Sequence, residues 1–371
     1  MTHSNKTKRV RATTLADVGL AAGVSAMAVS AVLNGALTSS RIAPKTRKRI
    51  LETAALLNYR ANGTARALAS RRMHTIGVAG VVDGNGLEFN HYFLEILSGI
   101  LMTAGRREEN TTLFTLHEWS PDPEPIRRFC DGRIDGLILI APRLTVETGR
   151  MFPAYTPFVA VHANCPLPGV INVESDEEDG AYEVTRHLIA RGHRDIIHIT
   201  GPRGLLGAER RIRGFERAIV NAGIHFDSSR LVEASFTTSD GRIAMRQWLK
   251  AHVGDRLPQA AFCASDAIAV GCMEALAELG LRVPDDISIA GFDDTFTART
   301  TVPQLTTVRQ PLWSMGNRAA EILLDRIEHP ERPLTDTPNP VVFPVEVISR
   351  ASVASPPVAA RVVPPQPAAA S

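Results

Sequence analysis

Four cysteines in 371 residues, Cys130, Cys165, Cys263 and Cys272, form no CxxC pair and no metal-ligand spacing. Their scatter excludes a disulfide framework and fits reduced thiols in a cytoplasm, most of them core residues. No apolar run is long enough to span a bilayer. Residues 1–11 are polar and basic, without the apolar stretch of a signal peptide, so a cytoplasmic location is expected. No nucleophile motif, Gly-rich phosphate loop or paired metal ligands point to an enzyme, and no cofactor is expected. His187, His193 and His198 fall on an expected helix, loop and strand, where isolated histidines are usually structural.

What is present is unevenly distributed. The net charge of +2 divides sharply: residues 1–72 hold 13 Lys or Arg against only Asp17 and Glu52, a balance of +11, and the remainder holds 28 bases against 37 acids, a balance of −9. A basic head on an acidic body implies that the head alone meets a polyanion. The length exceeds one core and suits two or three.

Residues 1–12 read as a basic flexible arm. Thr14 then caps a helix carrying Leu15, Val18 and Ala22, with Asp17 in its first turn. Gly23 ends it. Ser25 caps a second helix that runs to Asn34 and buries Val29, Val32 and Leu33. A third, about 44–58, starts with Pro44 and places Ile50, Ala54 and Leu57 on one face. Helix, Gly-containing turn and second helix form a helix-turn-helix pattern. The face opposite the buried residues of the second helix carries Met27, Ser30, Ala31 and Asn34, flanked by Ala26 and Ala28. Residues 62–72 are small and basic, with no large apolar face.

From about residue 75 short apolar runs alternate with amphipathic ones. Residues 76–82, 113–116, 137–140, 158–161, 196–199, 260–264 and 287–290 read as strands, and 91–106, 177–191, 208–222, 241–252 and 266–279 as helices. This alternation predicts parallel sheets wound by helices on both faces, in two subdomains. The Pro- and Ala-rich residues 351–371 read as a disordered tail.

The segments TLADVGLAAGVSAMAVSAVLNG (14–35) and KTRKRILETAALLNYRANGTARALAS (45–70), followed by TIGV (75–78), resemble the head, hinge and first core strand of the lac-repressor family. The likeness continues through IDGLIL, HLIARGHRDIIHITGP, RIRGF, SDAIAVGCMEALAELGLRVPDDISIAGFDDT and PQLTTVRQP, from residue 13 to about 350. The resemblance implies an all-α helix-turn-helix head (13–61). A hinge helix (62–72) joins it to an α/β effector and dimerisation domain (73–350). That domain would hold two doubly wound parallel-sheet subdomains like a type I periplasmic binding protein, about 73–174 with 303–330 and 175–302 with 331–350. Crossings between them are expected near Glu174, Pro303 and Pro330.

The same resemblance implies DNA contacts from Thr14, Ser25, Ala26, Met27, Ala28, Ser30, Ala31, Asn34 and Arg47, and from Asn62, Ala65 and Leu68 in the hinge. Leu68 would be a wedge in the minor groove, which bends a duplex by unstacking one step. Read without the resemblance, residues 62–70 are an ordinary linker. Arg47, Lys48 and Arg49 are individually either solvated surface or phosphate contacts. The chain departs from the family pattern at Ala26, Met27, Ala28 and Ala31, where polar or basic residues are common; apolar contact with thymine methyls replaces hydrogen-bond readout there. The loop after Asn34 is about three residues longer than usual, and Ala43 stands where a capping Ser or Thr is common.

In the body, Arg211 of RIRGF and Asp293 of FDD match the family's ligand arginine and carboxylate, and together would bracket adjacent hydroxyls. Their structural alternative is an ion pair at the cleft wall. Asn90, His162, Phe236 and Ser265 complete the expected effector site. His162 replaces a usual Asp and Ser265 a usual Asn, so effector identity does not carry over. Phe236 suits either a sugar face or the core; Tyr92 and Phe93 suit either the pocket or packing. The expected function is a dimeric repressor on a near-palindromic operator, controlled by a small effector, a carbohydrate by family habit. The alternative is a corepressor-dependent regulator answering to a nucleobase or a partner protein. A solute-binding protein with the same body would need a signal peptide and no basic head.

Overall fold

A computed structural model of the chain describes residues 12–34, 42–60, 72–81, 90–357 and 361–365. The chain divides into two units, Met1–His74 and Thr75–Ser371.

In the first unit three helices, α1 (Leu15–Ala22), α2 (Ala26–Asn34) and α3 (Pro44–Leu56), enclose a small core of Val18, Ala22, Val29, Val32, Ile50 and Ala54. Thr14 and Asp17 form a reciprocal capping box at the start of α1. Gly23 at φ 64° takes the left-handed turn that ends it. The axis then turns through 105° into α2, within the range of helix-turn-helix pairs.

The second unit contains two six-stranded sheets. In the first, β1 (Thr75–Val81), β2 (Asn110–Leu116), β3 (Gly136–Ile140), β4 (Phe158–Val161), β5 (Val170–Ser175) and β11 (Val341–Phe343) lie in the order β11-β5-β4-β3-β1-β2. The second holds β6 (Ile196–Thr200), β7 (Leu231–Glu233), β8 (Ala260–Cys263), β9 (Ser288–Asp293), β10 (Thr306–Arg309) and β12 (Glu346–Ile348), in the order β12-β10-β9-β8-β6-β7. All pairings are parallel except that of β10 with β12. Every residue of β3, β4, β6, β8 and β9 is buried, because helices cover both faces. Each sheet therefore has an apolar cluster on either side.

Helices α4 (His91–Arg106) and α12 (Leu312–Glu328) cover one face of the first sheet. They approach so closely that a Cβ on Gly316 would lie 2.0 Å from the Ile96 carbonyl oxygen. Short helices α5 (Glu124–Phe129) and α6 (Val146–Arg150) lie between β2 and β4 in the chain. In the second half, α7 (Glu177–Ala190) and α8 (Leu206–Asn221) pair, as do α9 (Thr238–Ala251) and α10 (Asp266–Glu278); α11 (Phe296–Thr300) follows β9.

Two expectations need correction. The subdomain boundaries shift: the chain leaves the first sheet after β5 and returns between β10 and α12. It crosses last between β11 and β12, near residues 344–345, so 331–343 belongs with the first half and 303–310 with the second. Sequence pattern missed this because β10, β11 and β12 are only three or four residues long. The second correction concerns the tail. Ser352, Val353 and Val363 are buried. Ser352 donates its backbone N–H to Gln304 and accepts from that of Ile289, both at 3.0 Å. The Val363 N–H donates to Asp255 at 2.9 Å, the Leu257 N–H to Arg361 at 2.8 Å, and Arg361 pairs with Asp286 at 2.5 Å. Proline forbids a helix there but permits an extended strap, and composition alone does not register two valines meeting a core.

Of the three histidines, His193 and His198 are held by backbone carbonyls. His198 Nδ1 meets the Phe262 carbonyl at 2.9 Å, and burial pushes the ring down to about 3. His193 Nε2 meets the Ala354 carbonyl at 2.9 Å. No single helix among the described residues is long and apolar enough to cross a membrane.

Candidate functional site

The first unit presents α2. Ser25 accepts from the Ala28 N–H at 3.2 Å and so starts the helix. Ser25, Ala26 and Met27 are exposed, Met27 by 77%. Ala28 and Ser30 are half-buried. Ala31, expected on the outward face, is buried. Thr14 is engaged in its capping box, and Arg47 stands exposed on α3. Ala43 starts α3 without a side-chain cap. Asn62, Ala65 and Leu68, the loop at 35–41 and the side chain of Asn34 lie outside the described residues.

In the second unit His162, Arg211, Phe236 and Asp293 are linked through shared contacts near the strands' carboxyl ends, the usual ligand position in such folds, whereas Asn90 and Ser265 act as helix caps. Asn90 is exposed and caps α4, accepting from the Tyr92 N–H at 3.0 Å. That cap sets the first turn from which Tyr92 reaches inward. The Tyr92 hydroxyl lies 2.5 Å from Nδ1 of His162, which follows β4 at φ 53°. The Ser175 backbone N–H donates to His162 Nε2 at 3.2 Å. That ring is therefore neutral with its proton on Nδ1, and the tyrosine keeps a proton to donate elsewhere. Both side chains are partly open to the cleft yet surrounded by protein. Burial pushes His162 down to about 4 and the tyrosine above its usual range, the latter helped by Asp293 and Glu177.

Ser175 donates its hydroxyl to the Gln310 carbonyl oxygen, and Gln310 donates from Nε2 to Asp293 Oδ1 at 2.6 Å. Ser175, Gln310 and Asp293 are all buried. A hydrogen-bonded chain thus runs Tyr92–His162–Ser175–Gln310–Asp293, from the first half to the second. Asp293 adopts φ 120° at the end of β9, a strained conformation for a residue with a side chain. Burial pushes its carboxyl up to about 7, against the lowering effects of Arg211 and Gln310.

Arg211, on α8, is buried. It pairs with Glu177 at 2.8 Å and donates to the Ala264 carbonyl. Its guanidinium lies 4.2 Å from the Phe292 ring centre and 5.5 Å from that of Phe236, a favourable cation–aromatic geometry. Its Nε is buried and, among the described residues, has no partner. The ion-pair partner is thus Glu177 and not Asp293, although the two still feel each other's charge. Arg210 bridges Glu174 at 2.9 Å and Glu177 at 3.6 Å. Phe236 packs partly into the core, as one of its two expected roles requires, and its ring lies against the guanidinium. Ser265 is buried and caps α10, accepting from the Ile268 N–H at 3.2 Å. Next to it, Asp266 accepts from the Thr295 N–H at 2.8 Å and the Thr307 hydroxyl at 2.6 Å.

Two contacts span the cleft at its margins. Glu95 accepts from the Phe296 N–H at 3.2 Å and lies 3.7 Å from Arg299. Asn164 accepts from the Leu206 N–H at 2.8 Å. Sequence reasoning missed Glu177, Ser175 and Gln310. The only signal was the second glutamine of PQLTTVRQP, a segment noted for its likeness without a role for that residue.

A model of the lacI family of bacterial regulatory proteins matches residues 14–62, and one of a periplasmic binding protein-like domain matches residues 185–353. Over 350 residues, 92% of this chain and 98% of the relative, the sequence is 31% identical to the HTH-type transcriptional repressor PurR of Aliivibrio fischeri. The structure of the lac repressor dimer bound to operator and the anti-inducer ONPF is similar at a TM-score of 0.79 and 26% identity, over 93% of this chain and all of that one. That of a transcriptional regulator CelR–cellobiose complex is similar at 0.66 and 28%, over 92% and 100%. With a helix-turn-helix head, a two-sheet body and full-length likeness all in agreement, the chain belongs to the lacI family of bacterial regulatory proteins and is a DNA-binding transcriptional repressor, not an enzyme.

Proposed function

We propose that the chain is a cytoplasmic, ligand-controlled repressor that binds a near-palindromic operator as a homodimer, and that its effector is a carbohydrate held in the cleft. The cluster around Arg211 carries this reading. It contains a buried donor that has no partner among the described residues, Arg211 Nε. Around it stand a tyrosine hydroxyl with a proton to give, the Asp293 carboxyl and the Phe236 ring. Alternating donors and acceptors beside an aromatic face suit a ring bearing several hydroxyls. On the head, exposed Met27 beside Ala26 suits thymine methyls in a major groove, and Arg47 suits phosphate. Leu68 as a hinge wedge belongs to the same proposal. The lac repressor relative is a dimer bound to operator, and a symmetric pair of heads requires a near-palindrome.

A second reading rests on Asp293 and Gln310. A carboxyl that titrates at about 7 beside a buried amide also matches the mixed donor and acceptor edge of a nucleobase, which would then act as corepressor. Selection of full-length protein against a random duplex library tests the DNA half of the proposal. The expected result is an enriched near-palindrome whose affinity falls steeply with salt. Recovery of no motif by folded protein contradicts it. Thermal-shift screening with sugars and nucleobases separates the two effector classes.

A further inference from the structure

We propose that the cleft selects an uncharged effector and rejects phosphorylated or carboxylated forms of the same molecule. The inference rests on the effector reading above and adds the ligand's charge, which follows from how the cluster's own charges are paired.

Arg211 is the one buried arginine at the ligand position, and Glu177 already neutralises it at 2.8 Å. The neighbouring Arg210 lies between Glu174 at 2.9 Å and Glu177 at 3.6 Å. Two guanidinium groups therefore face two carboxylates, and neither has charge to spare for an anion. At the cleft margin Arg299 faces Glu95 at 3.7 Å. His162 stands neutral, since it accepts a backbone N–H at Nε2. The acids exceed the bases beyond these pairs. Asp293 and Asp266 are both buried, and among the described residues neither forms an ion pair. They repel one another, and burial with that repulsion keeps Asp266 well above the usual carboxylate range.

Two helix N-termini nearby, another common kind of anion site, already carry carboxylates. The first turn of α7 holds Glu177, Glu178 and Asp179 and is capped by Asp176. Ser265 caps α10, and Asp266 occupies its first position. A phosphate carries close to two negative charges and strong acceptors only. Placed here it would meet the Asp293 carboxyl and the Glu177 pair in a region withdrawn from water, where unpaired charge is most unfavourable. A hydroxyl group, by contrast, both donates and accepts. It satisfies Arg211 Nε as acceptor and Asp293 as donor without added charge.

Calorimetric titration and thermal shift of the full-length protein test this with matched pairs. The neutral members are glucose, galactose, ribose, xylose, cellobiose, hypoxanthine and guanine. The charged members are the corresponding sugar phosphates, uronic acids and nucleoside monophosphates. The expected result is that the tightest binder is neutral and that its charged counterpart binds at least tenfold more weakly. Asp293→Asn is expected to narrow that ratio. A charged member that binds more tightly than its neutral counterpart, and loses binding in Arg211→Ala, overturns the inference while leaving the effector site in place. No binding by any member in either measurement overturns the effector reading, and the inference with it.

Discussion

Gln310 donates from its side-chain amide to Asp293 at 2.6 Å and accepts with the same amide from Ser175. One side chain at the crossing between the two halves of the body thereby joins the end of β5 to the end of β9. It is the fourth of the five members of a chain that begins at Tyr92, and a change in the spacing of the halves stretches or breaks its bond to Ser175.

Gln310→Ala removes both bonds; the Ser175 hydroxyl keeps only His162 Nε2 at 3.2 Å and the buried Asp293 carboxyl loses its amide donor, a loss of about 1–3 kcal/mol for the unsatisfied group. The variant is expected to unfold at lower urea and to bind its effector at least tenfold more weakly. Gln310→Glu is expected to be worse, since it adds a second buried carboxyl beside Asp293. Wild-type melting and affinity in Gln310→Ala would show that the link has no mechanical role.

The Asp293 carboxyl titrates at about 7 when folded, against an ordinary 3.8. The folded state therefore holds a proton between about pH 4 and 7 that the unfolded chain releases, and stability from this group falls as pH rises across that window. His162, held down to about 4 from 6.5, works in the opposite direction between those values. Asp293→Asn isolates the first effect. The stability of the variant relative to wild type is expected to grow from pH 4 to 7 and level off above 7, in urea melts at fixed salt. A difference independent of pH would contradict the assignment.

The head and the periodic helices of the body were legible because their signals are local. A Ser, Thr or Asn cap, a Gly turn and a repeating apolar face need only a few neighbouring residues, as at Thr14, Gly23 and Ser25. Arg211 and Asp293 were legible through resemblance. Glu177, Ser175 and Gln310 were not, because their roles arise from long-range contact: Ser175 and Gln310 are 135 residues apart in sequence. Ala31 was misplaced because a helical wheel records direction but not how far a side chain extends. The packing of 351–357 and 361–365 was not legible because the anchors, Val353 and Val363, are two residues in a Pro- and Ala-rich stretch whose average says nothing of the core they enter.

Truncation after residue 357 removes Val363 from that core and Arg361 from Asp286. Withdrawing a buried valine costs about 1.5–3 kcal/mol. The body is expected to melt several degrees lower, with the mass of the assembly unchanged. Identical melting would return this segment to the disordered tail that composition suggests.

Met27 is 77% exposed and contributes little to the core of the head. Met27→Ala is expected to leave the stability of the head within about 0.5 kcal/mol and to lower affinity for the selected duplex about tenfold, near the lower range for a lost base contact. Fluorescence anisotropy and thermal melting decide it. Unchanged duplex affinity would remove Met27 from the reading face.

The central claim is that a ligand in the cleft of the body sets the grip of the head on DNA. Its most direct test is operator affinity, measured by anisotropy with and without the ligand that most stabilises the body, in wild type and in Arg211→Ala checked for folding. The account predicts at least a tenfold change in operator affinity for wild type and none for the variant. A ligand that binds the body tightly and leaves operator affinity unaltered would contradict it.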